Sequence, residues 1–160
     1  MRATSLGVCG GLALALALMV TVQAADSQVA TWKVNLAKST YSPGPAPKSG
    51  TLQIEAAGDG VKFTNNGVGA DGKTTHAMYT ATYDGKEFKA QMGTLPNGAD
   101  TGSLKRIDAQ TVETTLKGKG TLMVTARAVV AADGTTRPTT VTGTDAYGKP
   151  VKNVIVYDRQ

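Results

Sequence analysis

Four side chains in this sequence have the chemistry to hold a small polar or acidic molecule: Tyr79, Tyr83, Arg106 and Tyr157. Alternate residues of a strand share one face. In the run over residues 74–83, Ala77, Tyr79, Ala81 and Tyr83 therefore line up as a small-large alternation, and Tyr79 and Tyr83 are expected to point inward. Arg106 shares its face with Leu104, whereas Arg127 lies opposite Leu122, Val124, Ala126 and Ala128. A buried guanidinium needs a partner, so Arg106 implies either an internal carboxylate or an anionic ligand. Tyr157 adds a third hydroxyl from the last run of the chain.

Catalysis has no such constellation, and the chain is not expected to be an enzyme. His76 is the single histidine, and the single cysteine is Cys9, so one chain cannot assemble a zinc site of the usual His and Cys type. Asp59, Asp71, Asp84, Asp133 and Asp145 fall at turns, where a carboxylate bonds the local backbone, and none has EF-hand spacing. Glu55, Glu87 and Glu113 lie opposite their strands' apolar neighbours and read as solvated. No serine stands in a nucleophile elbow, and no phosphate-cradling loop is present. No metal or cofactor is expected. Aromatic residues make up only 5% and the lysines are dispersed, so no nucleic-acid partner is expected either.

The elements that must position these residues are short strands. β-Branched and aromatic residues cluster in runs bounded by Gly and Asp, with no amphipathic helical period. The runs are residues 30–36, 52–56, 61–65, 74–83, 87–92, 101–107, 111–117, 121–130, 136–144 and 151–158. Turn signals recur at Gly58-Asp59-Gly60, Asp71-Gly72, Asp84-Gly85, Gly118-Lys119-Gly120, Asp133-Gly134 and Asp145 to Lys149. Asp-Gly tolerates the positive φ of tight hairpins, and connections this short force antiparallel neighbours. A meander of this length exposes two edges and an apolar face unless it closes. The expected fold is thus an all-β, up-and-down barrel of about eight to ten strands, with a β-sandwich as the alternative. Pro43, Pro45 and Pro47 make residues 39–50 an extended connector, either a lid over one mouth or a stiff crossing of the closed end.

Residues 1–24 read as a secretory signal peptide: Arg2, an apolar run from Leu12 to Val22, then Val22-Gln23-Ala24 as a cleavage site. The run is too short to span a bilayer as a helix, which takes about 20 residues. The mature chain, residues 25–160, is expected to form one domain without cysteine or membrane span, in the periplasm or outside the cell. The net charge of +5 includes Arg2, so the mature domain is mildly basic.

Several segments carry a resemblance: Thr31-Trp32-Lys33-Val34-Asn35, Ser42-Pro43-Gly44-Pro45-Ala46-Pro47, Ser103-Leu104-Lys105-Arg106-Ile107-Asp108, Gly143-Thr144-Asp145-Ala146 and Val156-Tyr157-Asp158. On them the mature chain resembles a family of exported bacterial β-barrels with lipocalin-like, or calycin, architecture. The resemblance implies an antiparallel barrel with Trp32 packing one end. Fatty-acid-binding relatives hold a carboxylate with an Arg-x-Tyr pair in the last strand; here Tyr157 is present and Ile155 occupies the Arg position. The expected function is binding of a small, partly apolar or acidic molecule by Tyr79, Tyr83, Arg106 and Tyr157. The alternative is a cell-envelope module that acts through its outer surface without a cavity. No motif sets an oligomeric state.

Overall fold

A computed structural model describes residues 25–119 and 121–160. The leader expected over residues 1–24, with Arg2 and Cys9, lies outside the described residues. Eleven strands follow in order: β1 (Ala30–Val34), β2 (Ser49–Ala57), β3 (Gly60–Val68), β4 (Thr74–Thr82), β5 (Asp84–Phe88), β6 (Met92–Gly93), β7 (Thr101–Arg106), β8 (Thr111–Lys117), β9 (Met123–Val129), β10 (Thr136–Thr144) and β11 (Pro150–Arg159). Every pairing is antiparallel. They form one continuous curled sheet in the order β5-β7-β8-β9-β10-β11-β1-β2-β3-β4-β6, a meander whose first and last strands, β1 and β11, pair in its middle. A single curled sheet sets the sandwich aside. No described residue belongs to an α-helix; two 3-10 turns, Leu36–Lys38 and Pro96–Gly98, interrupt the strands. No helix of the described residues is long and apolar enough to cross a membrane.

The strand expected over residues 87–92 is in fact two, which raises the count above the expected one. β5 pairs with β7 and β6 pairs with β4, so the two outer edges of the sheet are successive pieces of one stretch of chain. Asp84-Gly85 is not a free turn but part of β5, where the register shifts between Asp84 and Glu87. Such a bulge bends the strand and raises its twist, which lets the chain cross from one edge to the other. Gly93, at φ 71°, makes the return. A side chain there would run into the carbonyl of His76, so only glycine lets the backbones meet.

Aromatic rings seal this seam from inside. Phe63, Tyr79 and Phe88, from β3, β4 and β5, stack with centroids 4.9 and 4.7 Å apart. Offset stacking contributes about 0.5–1.5 kcal/mol per pair beyond the area buried. Phe88 can lie flat because Gly102, across the β5–β7 pair, has no side chain; a Cβ there would stand 2.7 Å from Phe88 Cε2 and 3.0 Å from Leu116 Cδ2.

The hairpins β2–β3, β4–β5, β7–β8 and β9–β10 turn at one end of the sheet, together with the C-terminus of β11. Residues 25–29 cross that end, where Ser27 Oγ donates to the Ala109 carbonyl at 2.8 Å. Trp32 is fully buried there and donates its indole N–H to the Gln28 carbonyl at 2.9 Å. At the opposite end β1 stops at Val34 while β11 continues, and the proline-rich connector takes up the vacated edge. Thr40 bridges Val154, Ser42 accepts from Lys152 N–H at 2.7 Å, and Pro47 lines the mouth. The connector is therefore part of the wall at the mouth and does not cross the closed end.

Gly102→Ala is expected to destabilise the fold by about 1–3 kcal/mol through overpacking against Phe88. Urea unfolding of parent and variant measures it, and equal midpoints would show that the seam does not need this gap.

Candidate functional site

Inside the sheet, above the strap formed by residues 25–29, lies a chamber of about 170 Å³. Its apolar wall comes from the inward positions of β8 and β9, including Leu116, Val124, Ala126 and Ala128. The period-two pattern of those strands turns these residues in and Arg127 out, where it approaches Glu113 at 3.9 Å. On the opposite side polar groups, Asn65, Thr139, Asn153 and the hydroxyl-bearing rings of Tyr79 and Tyr157, stand among Leu52, Phe63, Val141 and Ile155. Asn65, Pro96, Asn97, Ile155 and Tyr157 are shared with a wider mouth of about 610 Å³. A ligand in the chamber thus has an outlet past the connector.

Arg137 forms the floor. It stands opposite Tyr157 in the β10–β11 register and is 5% exposed. Its Nε donates to Gln28 Oε1 at 2.9 Å and its Nη1 to Thr139 Oγ1 at 3.2 Å. Both partners are neutral, and among the described residues no carboxylate pairs with it. Nη2 has no hydrogen-bonding partner among the described residues, and Arg137 lines the chamber. Burial pushes the guanidinium pKa down, but from so high a starting value that it stays protonated at any physiological pH. The chamber therefore ends in a positive charge that nothing in the described chain neutralises.

The expected site residues divide between two places. Tyr79 and Tyr157 line the chamber beside Arg137. Burial pushes the Tyr79 hydroxyl up to about 12, so it remains a neutral donor and acceptor, with only a long 3.5 Å contact from Asn65 Nδ2. Burial raises Tyr157 as well. Tyr83 and Arg106 sit instead at the closed end, beyond the strap, around Asp26. Tyr83 donates to Asp26 Oδ2 at 2.5 Å and Arg106 Nη2 to the same oxygen at 2.7 Å, with the guanidinium 3.8 Å above the Tyr83 ring. The inward charge read at Arg106 is thus answered by an internal carboxylate, and no part of it reaches the chamber. Trp32 packs the same end.

Arg137 escaped the sequence reading although its pattern was present: Arg137, Thr139 and Val141 alternate on one face, and Val141 marks that face as inward. Tyr41 escaped it too. Its hydroxyl is buried at the mouth without a hydrogen-bonding partner among the described residues. His76 is exposed at the mouth, with Nδ1 2.7 Å from Asn66 Oδ1. Among the described residues, no group of three or more His, Cys, Asp or Glu could hold a metal ion.

No protein-family model matches this chain, and no curated protein matches it by sequence. Among solved structures, zebrafish ileal bile acid-binding protein complexed with cholic acid matches with a TM-score of 0.51 and 14% identity, covering 84% of this chain and 99% of that one. At that identity the likeness is one of fold alone, an antiparallel β-barrel.

Burial works to raise the pKa of Asp26, but the hydrogen bonds from Tyr83, Arg106 and Gln28 outweigh it and hold the carboxyl below its ordinary 3.8. A carboxyl depressed by folding adds stability above its unfolded pKa and loses it as pH falls through the folded value. Asp26→Asn is therefore expected to melt below the parent at pH 7, with the gap closing as the pH is taken below 3.8. Thermal unfolding from pH 7 down to pH 2 checks this, and a gap independent of pH would show that the charge of Asp26 is not what holds the strap.

Proposed function

We propose that this chain is an exported β-barrel that binds a small, partly apolar acid, its anionic group meeting Arg137 at the chamber floor and its apolar part lying against β8 and β9. The observation that carries the reading is the buried guanidinium with neutral partners. A charge without a counter-ion is costly inside a protein, and a bound anion removes that cost. Tyr79 and Tyr157 supply neutral hydroxyls beside the anion, and the mouth accepts the less apolar end. The bile acid-binding protein that shares the fold is itself complexed with an acid, which agrees with this reading.

The role is binding, not catalysis, without metal or cofactor, and the place of action is the periplasm or the medium. Expression of the full chain in a bacterium, fractionation and sequencing of the protein's N-terminus are expected to find Ala25 first, in the periplasm or medium. A cytoplasmic product beginning at Met1 would overturn the export reading.

The binding reading is tested with two fluorescent probes that share a skeleton and differ by one sulfonate group: 8-anilinonaphthalene-1-sulfonate and its uncharged analogue N-phenyl-1-naphthylamine. Hydrogen bonds to a charged group contribute about 1.5–3 kcal/mol. Arg137→Gln is therefore expected to weaken the sulfonate by about tenfold or more while leaving the neutral probe within about twofold. Equal loss of both probes would show that Arg137 supports the fold and not the anion, and no binding of either probe by the parent would favour a module acting through its outer surface.

A further inference from the structure

We propose that Gln28 is a positioning residue for the anion site: the strap formed by residues 25–29 holds Arg137 in the one orientation that presents its outer edge to the chamber. The proposal rests on the reading that the chamber takes an acid. Gln28 is 1% exposed, and each of its polar groups is used. Its backbone N–H donates to Asp26 Oδ1 at 3.0 Å, and its carbonyl accepts from the Trp32 indole at 2.9 Å. Its Nε2 donates to the Gln110 carbonyl at 2.8 Å, which leaves Oε1 aimed at Arg137 Nε at 2.9 Å. The amide cannot turn over, because that would set its NH2 group against the guanidinium and its oxygen against a carbonyl.

The chemistry of the partner matters as much as its place. An amide oxygen satisfies Nε without neutralising the charge, whereas a carboxylate at the same spot would fill the role reserved for the ligand. With Nε held by Gln28 and one Nη1 proton by Thr139, the edge formed by the other Nη1 proton and Nη2 remains for the ligand. That planar fork matches the two oxygens of a carboxylate, or two of a sulfonate.

The strap is secured at its far end by residues that never enter the chamber. Arg106 and Tyr83 hold Asp26, Asp26 holds the Gln28 backbone, and Gln28 holds Arg137. The closed-end cluster is thus linked to the ligand site through three residues of chain, and it gives Arg106 an indirect part in acid binding.

The test titrates both probes into the parent, Gln28→Glu, Gln28→Met, Arg106→Gln and Arg137→Gln, with a thermal midpoint for each protein. Gln28→Glu is expected to lower affinity for the sulfonate by about tenfold and leave the neutral probe within about twofold, because the new carboxylate occupies the guanidinium. Gln28→Met keeps the volume but removes both side-chain bonds, and is expected to lower sulfonate affinity by about three- to tenfold, again sparing the neutral probe. Arg106→Gln is expected to shift the same ratio in the same direction, by a smaller factor. Parental sulfonate affinity in both Gln28 variants, with Arg137→Gln still impaired, would overturn the inference and leave the anion site standing. Parental affinity in Arg137→Gln as well would overturn the underlying reading. Parallel loss of both probes with a lowered midpoint would reduce Gln28 to a structural role and overturn the inference too.

Discussion

A positive charge buried without a negative one constrains everything around it. Arg137 can remain inside this barrel only while each N–H that does not face the chamber has an acceptor, since an unpaired charged donor in an apolar interior is far costlier than a neutral one. Gln28 and Thr139 meet that requirement, and Gln28 can do so only because the strap is threaded across the closed end. The strap in turn needs its own anchor, the carboxylate of Asp26 against Arg106 and Tyr83. Two arginines thus stand in contrasting environments a few residues of strap apart. One is paired with a carboxylate of the chain and partly open to solvent, and the other is buried without one among the described residues.

The fold was legible because its punctuation is chemical. Asp-Gly and Gly-rich turns require positive φ, and the structure places Gly58, Gly72, Gly134 and Gly148 there at φ between 60° and 85°. Alternation then set the inward faces of β4, β8 and β9 correctly, because each carries enough large apolar residues to show which side is buried. The exchange of partners between β5 and β6 was not legible. Residues 84–93 read as a turn followed by one strand, and only the three-dimensional closure of the sheet forces that stretch to serve both edges. Propensity describes a residue's own backbone and carries no term for which neighbour it will pair with.

The residues around the chamber were only partly legible. Tyr79 and Tyr157 do line the chamber, but Arg106 and Tyr83 share an inward face with apolar neighbours and still lie at the end of the barrel, beyond the strap. Alternation tells which face a side chain occupies and not how far along the barrel it sits. Arg137 was obscured for a different reason. β10 carries threonine on both faces, Thr139 inward and four others outward, so Val141 alone distinguishes inside from outside. Asp26 and Gln28 carried no signal at all, since a strap is defined by what it crosses and not by any periodicity of its own.

Stability alone does not account for this arrangement. Replacing a buried charge and its polar partners by apolar side chains of similar volume is often neutral or favourable to folding. The chamber already has apolar walls into which such a replacement would fit. A sequence selected only for a well-filled barrel would have little use for a guanidinium at the floor, an amide held edge-on to it, and a buried Tyr41 hydroxyl without a partner at the mouth. On the proposed reading each of these groups costs the empty barrel stability and is satisfied by a bound polar molecule, which is the opposition between empty and filled states that a binding site requires.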